Sequence, residues 1–105
     1  MSFLSPAAFL ALSGALLGLG LFGILTRRNF ILLLISVEIA INAAILNFVY
    51  FAAFSGATDG LSGQAIAVVV TGLAATEVAV GLAIVLALNR IRGSINVAEA
   101  TTLKL

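Results

Sequence analysis

Cysteine and histidine are absent from the 105-residue chain, and proline occurs once. Without cysteine there is no disulfide, no iron–sulfur ligation and no thiol chemistry. Without histidine there is no haem site and no ordinary zinc site. We therefore predict no metal site in this chain, and any chemistry of its own depends on carboxylates.

Charged residues are also scarce. They make up 9% of the chain, and 63% of the residues are hydrophobic. Ordinary proteins are about a quarter charged, and a soluble domain of this size needs more polar surface than these residues provide. The net charge is only +1, and no basic run with interleaved aromatic residues occurs, so nucleic acid is not expected as a partner. The composition predicts a protein whose solvent is the lipid bilayer.

Three apolar stretches make up most of the sequence. Residues 6–25, 30–54 and 64–88 are each near or above the ~20 residues that cross a hydrocarbon core. No stretch alternates with period 2, which argues against the strands of a membrane barrel. We predict an all-α integral membrane protein, a single membrane domain over residues 1–105 with three transmembrane helices and a short cytoplasmic tail at 89–105.

The basic residues predict how the chain is oriented. In a three-span protein the first loop and the C-terminal tail share one side, which here holds every basic residue: Arg27, Arg28, Arg90, Arg92 and Lys104. By the positive-inside tendency, the N-terminus faces out, to the periplasm, and the C-terminus faces in, to the cytoplasm. A cleaved signal peptide is the alternative for residues 6–25, but no basic segment precedes this stretch and its apolar part is too long.

Small residues predict close packing between helices. The first stretch contains Gly14 and Gly18 at a spacing of four, with Gly20 and Gly23 nearby. The third stretch contains four alanines at the same spacing: Ala75, Ala79, Ala83 and Ala87. Small residues spaced in this way allow the backbones of membrane helices to approach one another.

Two acids lie deep inside the predicted spans. Glu38 is about 12 Å inside the second span and Glu77 about 17 Å from the end of the third, at 1.5 Å per residue. An acid at the bilayer centre costs on the order of 2.5–3.5 kcal/mol. No basic side chain lies between Arg28 and Arg90 to neutralise either acid. Because burial disfavours the charged form, such carboxyls can exchange protons, and we predict that Glu38 and Glu77 form a proton relay.

The alternative is a protonated glutamate that only hydrogen-bonds a neighbouring helix. Two acids at similar depth without counter-charges are less readily explained in this way. Asn42 lies one turn after Glu38 and shares its face, whereas Asn47 lies on the opposite face. Polar residues on both faces indicate that the second helix has protein on both sides.

Other polar residues are candidates for a supporting role. Thr76 is adjacent to Glu77, although its hydroxyl is expected to bond back to a carbonyl of its own helix. Arg27 and Arg28 are expected to anchor the first loop at the interface, and they could also bias the charge of Glu38 from about 15 Å away. Three helices alone do not enclose a water-filled path, so we expect membrane partners.

Three segments carry a resemblance to a known family: "TRRNFILLLISVEIAINAAILNFV", "TDGLSGQ" and "AATEVAVGLAIVLALNRIRGS". Together they resemble the small subunit K of the proton-pumping NADH–quinone oxidoreductase, respiratory complex I, whose mitochondrial counterpart is subunit 4L. The resemblance extends from about residue 16 to residue 103. Both intramembrane acids, the arginine pair and the TDG loop are in register.

The resemblance implies a three-helix subunit of a hetero-oligomer in the bacterial inner membrane. Its partners would be the antiporter-like subunits and the subunits near the quinone site. The family's functional glutamates correspond to Glu38 and Glu77, and its loop arginines to Arg27 and Arg28. NADH, FMN, iron–sulfur clusters and quinone would be bound by partner subunits and not by this one.

Three alternatives remain open from the sequence. A C-type subunit of a multisubunit cation/proton antiporter shares the three-span plan and would act without quinone. A small multidrug exporter would need a fourth span and an acid in the first one, which is uncharged here. A purely structural helix bundle would leave the paired acids unexplained.

Overall fold

The computed structural model describes residues 5–54, 60–93 and 96–97. These residues form three helices, α1 (Pro6–Thr26), α2 (Phe30–Phe54) and α3 (Gly60–Arg92). Each helix is long and apolar enough to cross a membrane. The prediction of an all-helical chain with three potential membrane spans is therefore confirmed.

Side chains cap the first two helices at their N-termini. The hydroxyl of Ser5 accepts a hydrogen bond from the backbone N–H of Ala8 at 3.2 Å, and Pro6 occupies the first turn, where no N–H is required. The side-chain oxygen of Asn29 accepts from the backbone N–H of Ile31 at 2.9 Å. These caps explain why α1 and α2 begin where their apolar stretches begin.

The third helix is longer than the apolar stretch at 64–88. It begins at Gly60 and continues to Arg92, because a helix can extend beyond the hydrocarbon core and no proline interrupts it. Two arginines in the last turn lie near the negative end of the helix dipole. Gly93 then ends the helix with a φ of 70°, a conformation that glycine adopts without strain.

The tail returns to the first loop. The backbone N–H of Val97 donates to the carbonyl of Arg28 at 2.6 Å, and Asn96 pairs with Asn29 in an isolated antiparallel bridge. The first loop and this part of the tail therefore lie at the same end of the molecule. The loop expected between the second and third spans, residues 55–63, is helical from residue 60 onward, because α3 begins at Gly60. Residues 55–59 and the tail residues 94–95 and 98–105 lie outside the described part of the chain.

The three helices form a row with α2 in the middle. α1 and α3 each pack along α2. Phe9 of α1 stacks on the buried Tyr50 of α2, with ring centroids 4.0 Å apart. On α3, Ala67, Ala74 and Val85 are buried. The prediction that α2 has protein on both sides is confirmed, and the covering helices belong to the same chain.

Glycines set the distance between α1 and α2. A Cβ atom on Gly20 would lie 2.8 Å from the backbone nitrogen of Ala40 and 2.9 Å from the backbone oxygen of Ser36. A Cβ atom on Gly23 would overlap the side chain of Ser36. Because the obstacles at Gly20 are backbone atoms, no side-chain rotation relieves them. The two helices can approach this closely only with glycine at position 20.

The other small residues noted in the sequence are not used for packing between helices of this chain. A Cβ atom on Gly14 or Gly18 would meet nothing within 4 Å. The four alanines of α3 are exposed: Ala75, Ala79, Ala83 and Ala87. The reason is geometric, since the face of α3 that meets α2 is formed by buried residues that include Ala67, Ala74 and Val85.

Gly20→Ala should lower the free energy of unfolding by about 1–3 kcal/mol, because the added methyl pushes α1 away from α2. The matched control is Gly18→Ala, which adds the same methyl to open space. The measurement is the loss of helical circular dichroism on thermal and sodium dodecyl sulfate titration of the purified protein. Equal destabilisation by both substitutions would contradict the close approach.

Candidate functional site

The register between α2 and α3 determines where their side chains meet. A Cβ atom on Gly63 would lie 2.6 Å from the Cβ of Ala52. A Cβ atom on Gly81 would lie 2.7 Å from a terminal methyl carbon of Leu34. The helices are therefore antiparallel, with Ala52 level with Gly63 and Leu34 level with Gly81.

This register places Glu38 and Glu77, the acids of the second and third candidate spans, at the same depth. Glu38 lies four residues after Leu34 on α2, and Glu77 lies four residues before Gly81 on α3. Both steps cover about 6 Å in the same direction, because the helices run antiparallel. The similar depth predicted by counting from the helix ends is thus supported by contacts within the structure.

Glu38 opens into clefts between α2 and α3. The half-buried Glu38 lines one cleft of ≈ 360 Å³ together with Asn42 and Thr71, and a second cleft of ≈ 310 Å³ with Val78 and Leu82. The first cleft is large enough for several water molecules, since one water occupies about 30 Å³ in the liquid. Carboxyl, amide and hydroxyl groups around one such volume could hold a chain of water next to the acid.

Glu77 points away from the clefts that Glu38 lines. It is exposed and lines neither of the clefts that contain Glu38. Successive helical residues are rotated by about 100°, so Glu77 points about 200° from Ala75 and about 140° from Leu82, which do line those clefts. The two acids are level with each other but open to opposite sides of the row of helices.

The remaining sequence candidates are not gathered around the acids. The hydroxyl of Thr76 donates to the carbonyl of Gly72 at 2.9 Å, so the predicted bond within its own helix is confirmed. Arg27 and Arg28 are exposed at the C-terminal end of α1. Of the supporting residues, the structure brings only Asn42 into the same cleft as Glu38.

Thr71 is a cleft residue that the sequence did not single out. Its hydroxyl donates to the carbonyl of Ala67 at 2.8 Å, leaving the hydroxyl oxygen able to accept a further hydrogen bond. Its position opposite Asn42 depends on the register between two helices, so no pattern within α3 alone reveals it. The described residues include no group of three or more potential metal ligands. The polar groups that line this cleft are the carboxyl of Glu38, the amide of Asn42 and the hydroxyl of Thr71.

Comparison with known proteins assigns the chain to a family. The model of the family described as NADH-ubiquinone/plastoquinone oxidoreductase chain 4L matches residues 8–105. The chain belongs to this family. A relative from Anaeromyxobacter sp. strain K is 50% identical over 95 residues, which cover 90% of this chain and 93% of the relative. A relative from Bacillus anthracis is 44% identical over 104 residues, covering 99% of each chain.

Both relatives are named NADH-quinone oxidoreductase subunit K. A third relative with that name, from Bacillus mycoides, is 43% identical over 104 residues. The match to the chain 4L family spans α2 and α3 completely and omits only the first two residues of α1. The resemblance to subunit K seen in the sequence is confirmed over nearly the whole chain.

The pair Ala52→Cys and Gly63→Cys should form a disulfide on mild oxidation. Their Cβ positions are 2.6 Å apart in the structure, and an opening of about 1 Å reaches disulfide geometry. Ala52→Cys with Ala65→Cys is the matched control, because Ala65 is exposed about 200° around the helix from position 63. Since the chain has no native cysteine, non-reducing mass spectrometry reports the bond directly. A bond in the control pair alone would contradict the register that aligns Glu38 with Glu77.

Proposed function

We propose that the chain is the small membrane subunit of a proton-translocating NADH–quinone oxidoreductase. In this proposal Glu38 and Glu77 relay protons or charge between neighbouring subunits and thereby couple quinone reduction to proton pumping. The observation that carries the proposal is the placement of the two acids at one depth, opening to opposite sides of one row of helices. Membership of the chain 4L family, and relatives named NADH-quinone oxidoreductase subunit K, support it.

The geometry suits movement of charge sideways through the membrane. A proton that reaches Glu38 through its cleft has to pass only the width of one helix, ~10 Å, to the side on which Glu77 opens. Water held by Glu38, Asn42 and Thr71 would supply the approach to Glu38 on its own side of the row. No basic side chain lies between Arg28 and Arg90 to fix either acid in its charged form. Neither acid is therefore held by a permanent ion pair within its own span.

Supporting residues have narrower roles in this proposal. Asn42 provides a hydrogen-bonding amide beside Glu38. Arg27 and Arg28 anchor the first loop in the interface and bias the charge of Glu38 from about 15 Å away along the helix. Thr76 has no part in the proposed relay, because its hydroxyl bonds to Gly72 within its own helix.

The orientation and location also belong to the proposal. The N-terminus faces the periplasm and the C-terminus faces the cytoplasm of a bacterium, across its inner membrane. The bridge between Asn29 and Asn96 supports this arrangement, because it brings the basic first loop and the tail to one end of the molecule. The partners are the antiporter-like subunits and the subunits near the quinone site. NADH, FMN, iron–sulfur clusters and quinone bind to partner subunits, and none of them binds to this chain.

A subunit of a multisubunit cation/proton antiporter remains the competing proposal, since it shares the three-span plan. The match to the chain 4L family favours the oxidoreductase. Co-purification distinguishes the two. If the chain belongs to the oxidoreductase, a tagged chain extracted in mild detergent should co-purify with flavin and iron–sulfur absorbance. If it belongs to the antiporter, it should co-purify with neither.

Glu38→Gln and Glu77→Gln should each reduce redox-driven proton pumping by at least about tenfold, since transfer by a positioned acid typically contributes 10²-fold or more. The amide keeps the size of the side chain and removes its exchangeable charge. Pumping is measured as acidification driven by NADH in membrane vesicles, normalised to the amount of assembled enzyme. The matched control is Glu99→Gln, which makes the same change outside the three candidate spans and should pump normally.

The double substitution provides a sharper test of a relay in series. If both acids lie on one path, replacing the second acid in a variant that already lacks the first should reduce pumping little further. The reason is that residues that act as a unit have non-additive effects. Full pumping and full quinone reductase activity in both single variants and in the double variant would rule out the relay. Losses that multiply in the double variant would indicate two independent paths.

The face that carries Glu77 should contact a neighbouring subunit. Leu73 is 59% exposed and lies one turn before Glu77, whereas the adjacent Ala74 is 5% exposed and faces α2. A photoactivatable reagent on Leu73→Cys should form adducts with another subunit in the assembled enzyme, whereas on Ala74→Cys it should react only within this chain. Adducts with lipid alone at Leu73→Cys would contradict a protein neighbour at Glu77.

A further inference from the structure

Two backbone contacts fasten the tail to the first loop. The backbone N–H of Val97 donates to the carbonyl of Arg28 at 2.6 Å, and Asn96 pairs with Asn29 in an antiparallel bridge. We call these contacts the tail bridge. α2 and α3 are joined in sequence at the opposite end, through residues 55–59. The tail bridge therefore connects the two helices at the end where the chain itself does not.

On the side of α2, the tail bridge is attached to a fixed point. The side-chain oxygen of Asn29 accepts hydrogen bonds from the backbone N–H groups of Ile31 at 2.9 Å and Leu32 at 3.4 Å. The carbonyl of Asn29 accepts from the backbone N–H of Leu33 at 2.9 Å. Asn29 is therefore part of the first turn of α2, and a contact with Asn29 is a contact with α2 itself.

On the side of α3, the tail has little spare length. Since Leu34 is level with Gly81, Gly93 lies about 10 Å beyond the level of Asn29. The φ of 70° at Gly93 allows the chain to leave the helix there. Three peptide steps connect Gly93 to Asn96, and they span at most about 11 Å. The length available and the length required nearly coincide.

This match limits how far α3 can slide along α2. A shift by one helical turn, about 5.4 Å, away from residues 55–59 would raise the required span from about 10 Å to about 16 Å. Three peptide steps cannot cover that distance, so the tail bridge would break. Because a helix is stiff along its axis, the same shift would carry Glu77 past the level of Glu38.

The packing between α2 and α3 opposes such a shift only weakly. Its close approaches join small or apolar residues, Ala52 with Gly63 and Leu34 with Gly81. In a bilayer the burial of apolar side chains between helices provides little driving force, because the lipid tails are equally apolar. A backbone hydrogen bond has a defined length and direction. The tail bridge therefore adds a specific contact at the end of α3 where the apolar packing is least able to fix the register.

We propose that the tail bridge positions Glu77. By holding the end of α3 to the start of α2, Asn96 and Val97 keep Glu77 level with Glu38. They act as positioning residues and contact neither acid. The importance of this level for proton transfer rests on the proposed function, whereas the hold on α3 does not, so the two fail in different experiments.

Disulfide formation measures the hold on α3 directly. A Cβ atom on Gly81 would lie 3.6 Å from the Cγ of Leu34, so Leu34→Cys with Gly81→Cys reports the register in the half of α3 near the tail bridge. Val97→Pro removes the N–H that donates to Arg28, and Val97→Ala is the matched control because it keeps that N–H. In native membranes, Val97→Pro should slow formation of this disulfide by about threefold or more, the factor expected for one lost hydrogen bond. Val97→Ala should leave the rate unchanged.

The pair Ala52→Cys and Gly63→Cys is the internal control, because it lies beside residues 55–59, at the other end of the two helices. Its rate should be the same with and without Val97→Pro. Unchanged rates at both pairs in Val97→Pro would overturn the proposal. Equal slowing of both pairs would also overturn it, since that result indicates general loosening of the fold and not a local hold on the end of α3.

Proton pumping tests the consequence for Glu77. Val97→Pro should lower the number of protons pumped per NADH oxidised by about threefold or more, because a small misplacement of a positioned group slows transfer steeply. Val97→Ala should pump normally. Both values are normalised to the amount of assembled enzyme. Normal pumping by Val97→Pro, together with slowed formation of the Leu34–Gly81 disulfide, would overturn the positioning role.

A covalent tail bridge provides a rescue. Asn29 and Asn96 are paired across the bridge, so Asn29→Cys with Asn96→Cys is within disulfide reach. In the Val97→Pro background, oxidation of this pair should restore pumping relative to the reduced protein, which has the same loss of the Asn29 cap. Val97→Pro alone, treated with the same oxidant, should show no recovery. A disulfide that forms without restoring pumping would overturn the proposal.

The two readouts separate this proposal from the proposed function. Normal pumping by Glu38→Gln and Glu77→Gln would rule out the relay, and the disulfide rates in Val97→Pro would still show whether the tail bridge holds α3. Unchanged disulfide rates in Val97→Pro, with pumping lost in Glu38→Gln and Glu77→Gln, would overturn the tail bridge and leave the relay standing.

Discussion

Hydrocarbon offers a polar side chain no hydrogen-bond partner, and the arrangement of this chain depends on how each polar group meets that condition. The hydroxyls of Ser36, Thr71 and Thr76 donate to carbonyls of their own helices at 2.8, 2.8 and 2.9 Å. A carboxylate or an amide oxygen cannot be satisfied in this way, because it needs a donor and the N–H groups inside a helix are already used. Glu38, Glu77 and Asn47 therefore require something beyond their own helix.

The row of three helices gives those groups different surroundings. Glu38 meets a cleft beside α3, and Asn47 meets a cleft beside α1 on the opposite face of α2. Glu77 is exposed on α3. A bundle closed around a central axis would have turned such groups toward one another. A row turns them outward in separate directions, which suits a subunit placed between several neighbours.

The sequence predicted the helices well because a helix that crosses the bilayer needs about 20 consecutive, mostly apolar residues. α2 has the predicted bounds, since its apolar run and the cap at Asn29 coincide. α3 extends past its apolar run because hydropathy reflects the thickness of the hydrocarbon, whereas Gly93 and hydrogen bonding determine where the helix ends. The depth of Glu38 and Glu77 followed from counting residues along each helix. The side of the row to which each acid opens could not be predicted in this way, because it depends on the register between helices. The same limit explains why Thr71 was missed and why Gly20 could not be told apart from Gly14 as the point of closest approach.

The thinness of the row affects how the chain persists in a cell. It exposes 7116 Å², whereas a compact protein of this mass would expose about 5,500 Å². None of its described large side chains is fully buried. A chain with so little interior gains much of its protection from neighbours, and binding stabilises it by mass action. Copies without partners are therefore expected to be less stable than assembled copies.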